Sequence, residues 1–277
     1  EAAAAVASAR QWVLPDAPLP AEPRTFPVLV FSPGLSWLPV DDSALAAELA
    51  SRGYVVAGVA RAGFAGPVMV SSGEIVEQGR GPGDQRFRGE DLRYSLARAA
   101  HLQTAKRSPF DGRLGLDRLG LFGHSMGGAA SMVVAAGVSQ VKAAANLDGD
   151  FMGAVREARP KQPLLLLSHR APAGGGMLGF LERSEQRRTA DWEAVSSKSK
   201  AAQRHGLDDS CHLDFLDAAL LPAGKIPPKL RANRFSARAG ARTLALTAGL
   251  LNDFFSGRAV AANAARFPAL APLAGSR

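Results

Sequence analysis

Cysteine is nearly absent. A single residue, Cys211, stands in a chain of 277, which excludes an intrachain disulfide framework and any zinc site built on cysteines. Aromatic residues make up only 6%, too few for the stacking platforms that grip single-stranded nucleic acid. No stretch approaches the roughly 20 apolar residues of a membrane-spanning helix, and there is neither an internal repeat nor a heptad run. The start is equally bare: Glu1-Ala2-Ala3-Ala4-Ala5 carries no Met, no basic segment and no long apolar run. That fits a chain whose export signal has been removed, or one trimmed at its start, so a secreted or periplasmic and a cytoplasmic location both stay open.

What is present describes one folded unit. With 47% hydrophobic and 21% charged residues the composition is that of a globular protein, long enough for one α/β domain or two small ones, and nothing signals a second core. The net charge of +8 raises the question of nucleic acid, but 25 acidic residues are interleaved with 33 basic ones. The expected partners therefore include no nucleic acid and no obligate protein partner, and at most weak contact with an anionic membrane surface.

Strand-like runs alternate with helical ones. Trp12-Val13-Leu14 reads as an edge strand before an irregular, proline-rich connection (residues 1–26). Pro27–Phe31 and Tyr54–Ala60 read as buried strands flanking a helix over Asp41–Arg52, with Asp42 or Ser43 as its N-cap and Gly53 as its stop. Arg61–Gln85 has no period and reads as a surface excursion of low order. Asp91–Thr104 is an amphipathic helix; Asp111-Gly112 and Asp117-Arg118 read as turns leading to a strand at Leu119. Val141–Asp148 and Pro163–Ser168 are further strands, and Thr243–Phe255 is a closing helix stopped by Gly257. The pattern predicts an α/β fold with a mostly parallel central sheet and helices on both faces, over residues 27–260, followed by a tail, 261–277. Within it, residues 170–202 break the pattern: Gly174-Gly175-Gly176 precedes the apolar Met177–Leu181. This segment reads as a lid or membrane-surface element, or as a helix packed over the domain.

The chain is organised around Leu119–Ser131. Strand residues run into Gly123-His124-Ser125-Met126-Gly127, and a small-residue helix follows at once. In such a G-x-S-x-G turn the serine sits on a strained corner, and the glycines remove side chains that would collide with strand and helix. A serine used as a nucleophile needs an imidazole base, an acid to orient the imidazole, and donors for the oxyanion. This turn sets the order serine, acid, histidine. Order removes His101, and His124 lies inside the turn itself, facing the wrong way. Among the rest, His169 and His205 read as surface or structural residues. His212, in the polar loop Asp208–Asp217 ahead of an apolar stretch, is placed as the base. Asp148, 23 residues beyond Ser125 at a strand end, is the acid, with Asp150 as fallback. The oxyanion donors are the backbone amides of Met126 and of Leu35 in the loop Ser32-Pro33-Gly34-Leu35. No metal or cofactor is called for.

These segments resemble the platelet-activating factor acetylhydrolase-like esterases of the α/β-hydrolase fold. Phe31-Ser32-Pro33-Gly34-Leu35 matches the family's oxyanion segment, with Pro33 in place of its usual histidine. Gly123–Gly128 matches the nucleophile turn, Asn146-Leu147-Asp148-Gly149 the acid, and Cys211–Asp217 the His-x-x-Phe-x-Asp motif. The resemblance implies a Ser125, His212, Asp148 triad that cleaves carboxylic esters through an acyl-enzyme, with a small-molecule or lipid ester as the substrate. Gly-His-Ser-Met-Gly-Gly is also similar to the turn of cutinase-like polyester hydrolases, which place the acid one strand later, so polyester cleavage is an alternative activity. From another class, a non-catalytic binding protein on the same fold and a lipid-surface protein are the competing readings.

Overall fold

Four consecutive leucines, Leu164–Leu167, explain the architecture. All four are buried, which for a strand requires cover on both faces and so a sheet with helices on either side. A computed structural model of the chain describes residues 13–22, 24–63, 65–77, 85–151, 154–170, 178–222, 226, 235, 240–258 and 270–272. Its sheet has seven strands in the order β2-β1-β5-β6-β7-β8-β9. These are β1 (Phe26–Ser32), β2 (Val55–Gly58), β5 (Leu114–His124), β6 (Ala143–Leu147), β7 (Leu164–Arg170), β8 (Ala202–Asp208) and β9 (Leu270–Pro272). Every pairing is parallel except that of β9 with β8.

Alternate residues divide the core in two, as the pleat of a strand requires. Val28, Val30, Leu121, Ala144, Leu164 and Leu166 face α2 (Gln85–Thr104), α3 (Met126–Gly137) and α5 (Leu178–Ser196), whose Leu92, Val134 and Trp192 pack there. Leu29, Phe31, Phe122, Ala145, Leu165 and Leu167 face α1 (Ser43–Ser51) and α6 (Gly240–Phe255), through Leu45, Leu49, Leu250 and Leu251. Between β6 and β7 lies the short α4 (Ala154–Glu157), which buries Val155. Each fully buried leucine contributes about 1.5–3 kcal/mol, so the sheet's centre is its most strongly held part. The C-terminal ends of β5, β6 and β7 meet there on one rim.

Several expectations change. Asp117-Arg118 is no turn but lies inside β5. There the register against β1 jumps from Pro27↔Gly115 to Val28↔Leu119, so the extra residues form a bulge rather than a reversal. Arg61–Gln85 contains a hairpin, β3 (Val68–Met69) with β4 (Ile75–Val76), closed by the Val70–Gly73 turn; strands of two residues have no periodicity to read. Helix α2 begins at Gln85, six residues before Asp91. Of the N-terminal edge strand, Trp12 lies outside the described residues. Val13 and Leu14 are in no strand, and Leu14 is 75% exposed. The tail instead contributes β9, which covers the otherwise open edge of β8.

Candidate active site

Ser125 is the only residue between β5 and α3, and a reversal that tight forces it to φ 54°, ψ −125°. For a non-glycine residue this costs on the order of 1–3 kcal/mol, so something must hold it. Its N–H donates to the Leu147 carbonyl at 2.8 Å, and its carbonyl accepts from Ala129 N–H at 3.1 Å. The strand next door is therefore one anchor and the new helix the other.

Asp148 leaves β6 at the same rim, with φ 58°. Its N–H donates to the Leu167 carbonyl at 2.7 Å. Asn146 fixes the turn beyond it, taking the Gly149 N–H on Oδ1 at 2.7 Å and donating Nδ2 to the Gly149 carbonyl at 3.1 Å. Asn146 belongs to the motif read from the sequence, but its clamp does not show in a linear pattern.

His212 opens a short 3-10 turn, His212–Phe215. Asp214 Oδ2 caps that turn by accepting the Cys211 N–H at 2.8 Å. Beneath it His124 Nε2–H donates to the His212 carbonyl at 3.0 Å. The His124 ring lies between those of His212 and Phe215, with centroids 4.7 and 5.7 Å away. Burial, reinforced by the charge of His212, pushes the His124 pKa down to about 3, so His124 is a neutral prop under the loop. At the loop's far end Asp217 accepts from Ser43 Oγ at 2.5 Å and from Ala44 N–H at 3.0 Å. The last acid of the motif thus ties the His212 loop to the first turn of α1.

Three side chains placed by sequence order meet. Ser125 Oγ lies 3.1 Å from His212 Nε2, and His212 Nδ1–H donates to Asp148 Oδ2 at 2.5 Å. Asp148 is buried. Burial alone would raise its pKa, but hydrogen bonds from His169 and His212, with the charges of His169 and Arg188, hold it well below the usual carboxylate range. It is the ionised acceptor that an orienting acid must be. The Ser32–Leu35 segment runs alongside: a β-carbon at Gly34 would lie 3.4 Å from Ser125 Cβ and 3.3 Å from His124 Nδ1. Leu35 is half exposed, and Met126 is the first residue of α3.

His169, read from the sequence as a surface or structural residue, donates Nδ1–H to the same Asp148 Oδ2 at 2.6 Å. The physical reason is the sheet: β6 and β7 are parallel neighbours with Leu147 opposite Leu167, so His169, near the end of β7, comes up beside Asp148, the residue leaving β6. Arg188, which sequence reasoning did not single out, reaches in from α5 to Asp148 Oδ1 at 3.1 Å and to Asp150 at 3.3 Å. Asp150 itself is exposed and holds this arginine. His205 is buried in mid-strand on β8, and His101 is exposed on α2.

Asp148, His169 and His212 form the one group among the described residues whose ligand atoms gather closely enough to invite a metal. Atoms bound to one tetrahedral zinc at about 2.0–2.2 Å lie about 3.3 Å apart. Here the nitrogens sit 2.5 and 2.6 Å from the shared oxygen, which is the spacing of hydrogen bonds with protons in them.

Met177 lies outside the described residues, as do the side chains of Leu178–Leu181. The second half of α5 is anchored: Trp192 is buried against Phe151, with ring centroids 6.2 Å apart. Asp191 pairs with Arg156 at 3.1 Å, and buried Arg204 donates to Thr189 Oγ1 at 2.7 Å. No described helix is long and apolar enough to cross a membrane.

Comparison with known proteins bears on the fold and the class of protein. The family model for platelet-activating factor acetylhydrolase, isoform II, matches residues 2–62, the part that leads through β1, the Ser32–Leu35 loop and α1. No curated protein sequence matches significantly. Among solved structures the chain is similar to a ferulic acid esterase from Streptomyces cinnamoneus, with 28% identity and a TM-score of 0.65 over 85% of this chain and 68% of that one. With its parallel sheet, this match over the first part of the chain and this neighbour, the chain has the α/β-hydrolase fold, is similar to the platelet-activating factor acetylhydrolase-like esterases, and is a carboxylic ester hydrolase.

Proposed function

We propose that the protein cleaves carboxylic esters through an acyl-enzyme formed on Ser125, with residues 27–260 as the catalytic unit. Ser125 Oγ attacks the ester carbonyl while His212 Nε2 takes its proton. The oxygen of the tetrahedral intermediate is held by the backbone N–H groups of Leu35 and Met126. His212 then returns the proton to the departing alcohol, and a water, activated by the same nitrogen, releases the acid. Asp148 keeps Nδ1 protonated, so Nε2 is free to accept, and its charge stabilises the imidazolium in both steps.

The observation that carries this reading is the unbroken chain from Ser125 Oγ to His212 to buried Asp148. A fluorophosphonate label tests it: wild-type protein takes up the label and Ser125→Ala does not. Failure of the wild type to react, or esterase activity that survives in Ser125→Ala, would count against it. Substrate choice is read with p-nitrophenyl esters from short to long chain. The likeness to a ferulic acid esterase adds a feruloyl ester to that panel, and the nucleophile turn adds a polyester film. A non-catalytic binding protein would turn over none of these, and a lipid-surface protein would bind liposomes equally well as Ser125→Ala.

A further inference from the structure

The carboxylate of Asp148 has more partners than an orienting acid needs. Oδ2 accepts Nδ1–H from both His212 and His169, at 2.5 and 2.6 Å. Oδ1 accepts the backbone N–H of His169 and Nη2 of Arg188, each at 3.1 Å. The two imidazoles stand edge to face with ring centroids 6.2 Å apart. We propose that His169 is a positioning residue for ester hydrolysis, which fixes the carboxylate by sharing Oδ2 with His212 and, through its own charge, sets the pH range in which His212 acts as a base. The proposal rests on the reading of Ser125, His212 and Asp148 given above.

A carboxylate oxygen has lone pairs for two N–H donors, but the group has one negative charge to offer both rings. When His212 takes the serine proton, that charge must stabilise a new imidazolium. A positive His169 already neutralises part of it, so the imidazolium of His212 is held less strongly. Which state His169 adopts depends on everything that faces it. Asp148 comes from the end of β6, Arg188 and its partner Asp150 from α5 and the loop after β6, and His212 from the loop after β8. Arg170, its neighbour in sequence, is paired with Asp208 of β8 at 3.1 Å. Burial disfavours the charged form of His169. The hydrogen bond and charge of Asp148 outweigh that, with Arg188 opposing and Asp150 assisting, so protonation persists above the usual histidine range. Arginine does not titrate, and His124 beneath is neutral, so neither supplies the variable charge that His169 can.

Two variants of the full chain separate the two roles. His169→Asn keeps an N–H donor for Oδ2 without a titratable charge; His169→Phe keeps a ring and loses the donor. With kcat and KM for p-nitrophenyl butyrate followed from about pH 5 to 9, both variants are expected to lose activity at a pH about one unit higher than wild type on the acid side. The size follows from two charges about 6 Å apart in a partly exposed site. On the plateau the Phe variant is expected to lose about five- to tenfold in kcat with KM within about twofold, while Asn restores kcat to within about twofold of wild type. An Asn variant whose acid limb superimposes on that of wild type overturns the proposal, and this decides the matter even where the Phe variant does not fold. Imidazole NMR titration in the Ser125→Ala background reads the same coupling without turnover: a His212 titration displaced by His169→Asn supports it, and an unmoved one overturns it. Esterase activity surviving in Ser125→Ala refutes the nucleophile assignment but leaves the NMR result to judge His169 on its own.

Discussion

A methyl group added at residue 127 probes how the site is assembled. Gly127 stands two residues beyond Ser125 in the first turn of α3. A β-carbon there would fall on the backbone carbonyls of Ser32 and Pro33, far inside contact distance. These are main-chain atoms of the β1 exit, the segment whose Leu35 amide is proposed as an oxyanion donor, and they have no rotamer by which to step aside. Gly127→Ala therefore has to push that exit and α3 apart by roughly 1 Å or more. Overpacking of this kind costs about 1–3 kcal/mol of stability, or about 2–4 °C in Tm for each kcal/mol in a chain of this size. The protein stays folded, since native stability is typically about 5–15 kcal/mol. Catalysis is hit harder: losing the alignment of one oxyanion donor lowers kcat by about 10²–10³-fold.

Gly53→Ala is the matched control. Gly53 sits at φ 94° behind α1, with nothing within 4 Å of an added β-carbon. It should lose about 1–2 kcal/mol from backbone strain alone and keep its kcat. Thermal unfolding by circular dichroism, set beside kcat for p-nitrophenyl butyrate, separates the two effects. A folded Gly127→Ala protein within about threefold of wild-type kcat would refute the idea that close approach of these two backbones builds the site.

Three further outcomes are expected. Asp148→Asn should lower kcat about 10³–10⁴-fold near neutral pH, because the amide leaves His212 in the wrong tautomer. Its stability deficit against wild type should shrink as pH falls below about 4, where the stability supplied by a carboxyl with a lowered folded-state pKa is lost; a deficit constant down to acid pH contradicts this. Asp42 is buried beside Asp41 and Asp217, and neither of its oxygens has a partner among the described residues. Burial first, then those two charges, raises its pKa well above the ordinary carboxyl range. Wild-type stability should therefore decline as pH rises from about 4 through that raised value, and Asp42→Asn should remove the decline and gain about 1–3 kcal/mol at neutral pH. Unfolding midpoints that run parallel from acid to neutral pH would dispose of this. Trp192→Ala empties a fully buried site and should cost about 3–5 kcal/mol in denaturant unfolding; a loss under about 1 kcal/mol would mean that the second half of α5 is not anchored.

The parts of this fold legible in the sequence are those fixed by short-range sterics and continuous burial. Leu164–Leu167 can only be an interior strand, and glycines flanking Ser125 at two residues on either side serve no ordinary helix or strand. The nucleophile turn also fixes the order in which acid and base follow, which is why Asp148 and His212 could be singled out. What escaped depends on which elements lie side by side. His169 meets Asp148 because β6 and β7 are parallel neighbours, Arg188 because α5 crosses their ends, and Asp217 caps a helix from 173 residues away. None of these leaves a period or a motif. The bulge at Asp117-Arg118 deceived for a related reason: polar residues in mid-sequence look like a reversal when the partner strand that bridges them is not in view.

The bond from Asp217 to Ser43 and Ala44 has a consequence for the order in which activity arises. An emerging chain presents the α1 sequence early, but that helix waits for its terminal acceptor until the last third of the polypeptide arrives. The same arrival delivers the imidazole to the serine. On the proposed mechanism a partly synthesised or partly refolded molecule therefore carries Ser125 without its base, inert toward the esters around it, and becomes reactive only as two distant parts of the domain are joined.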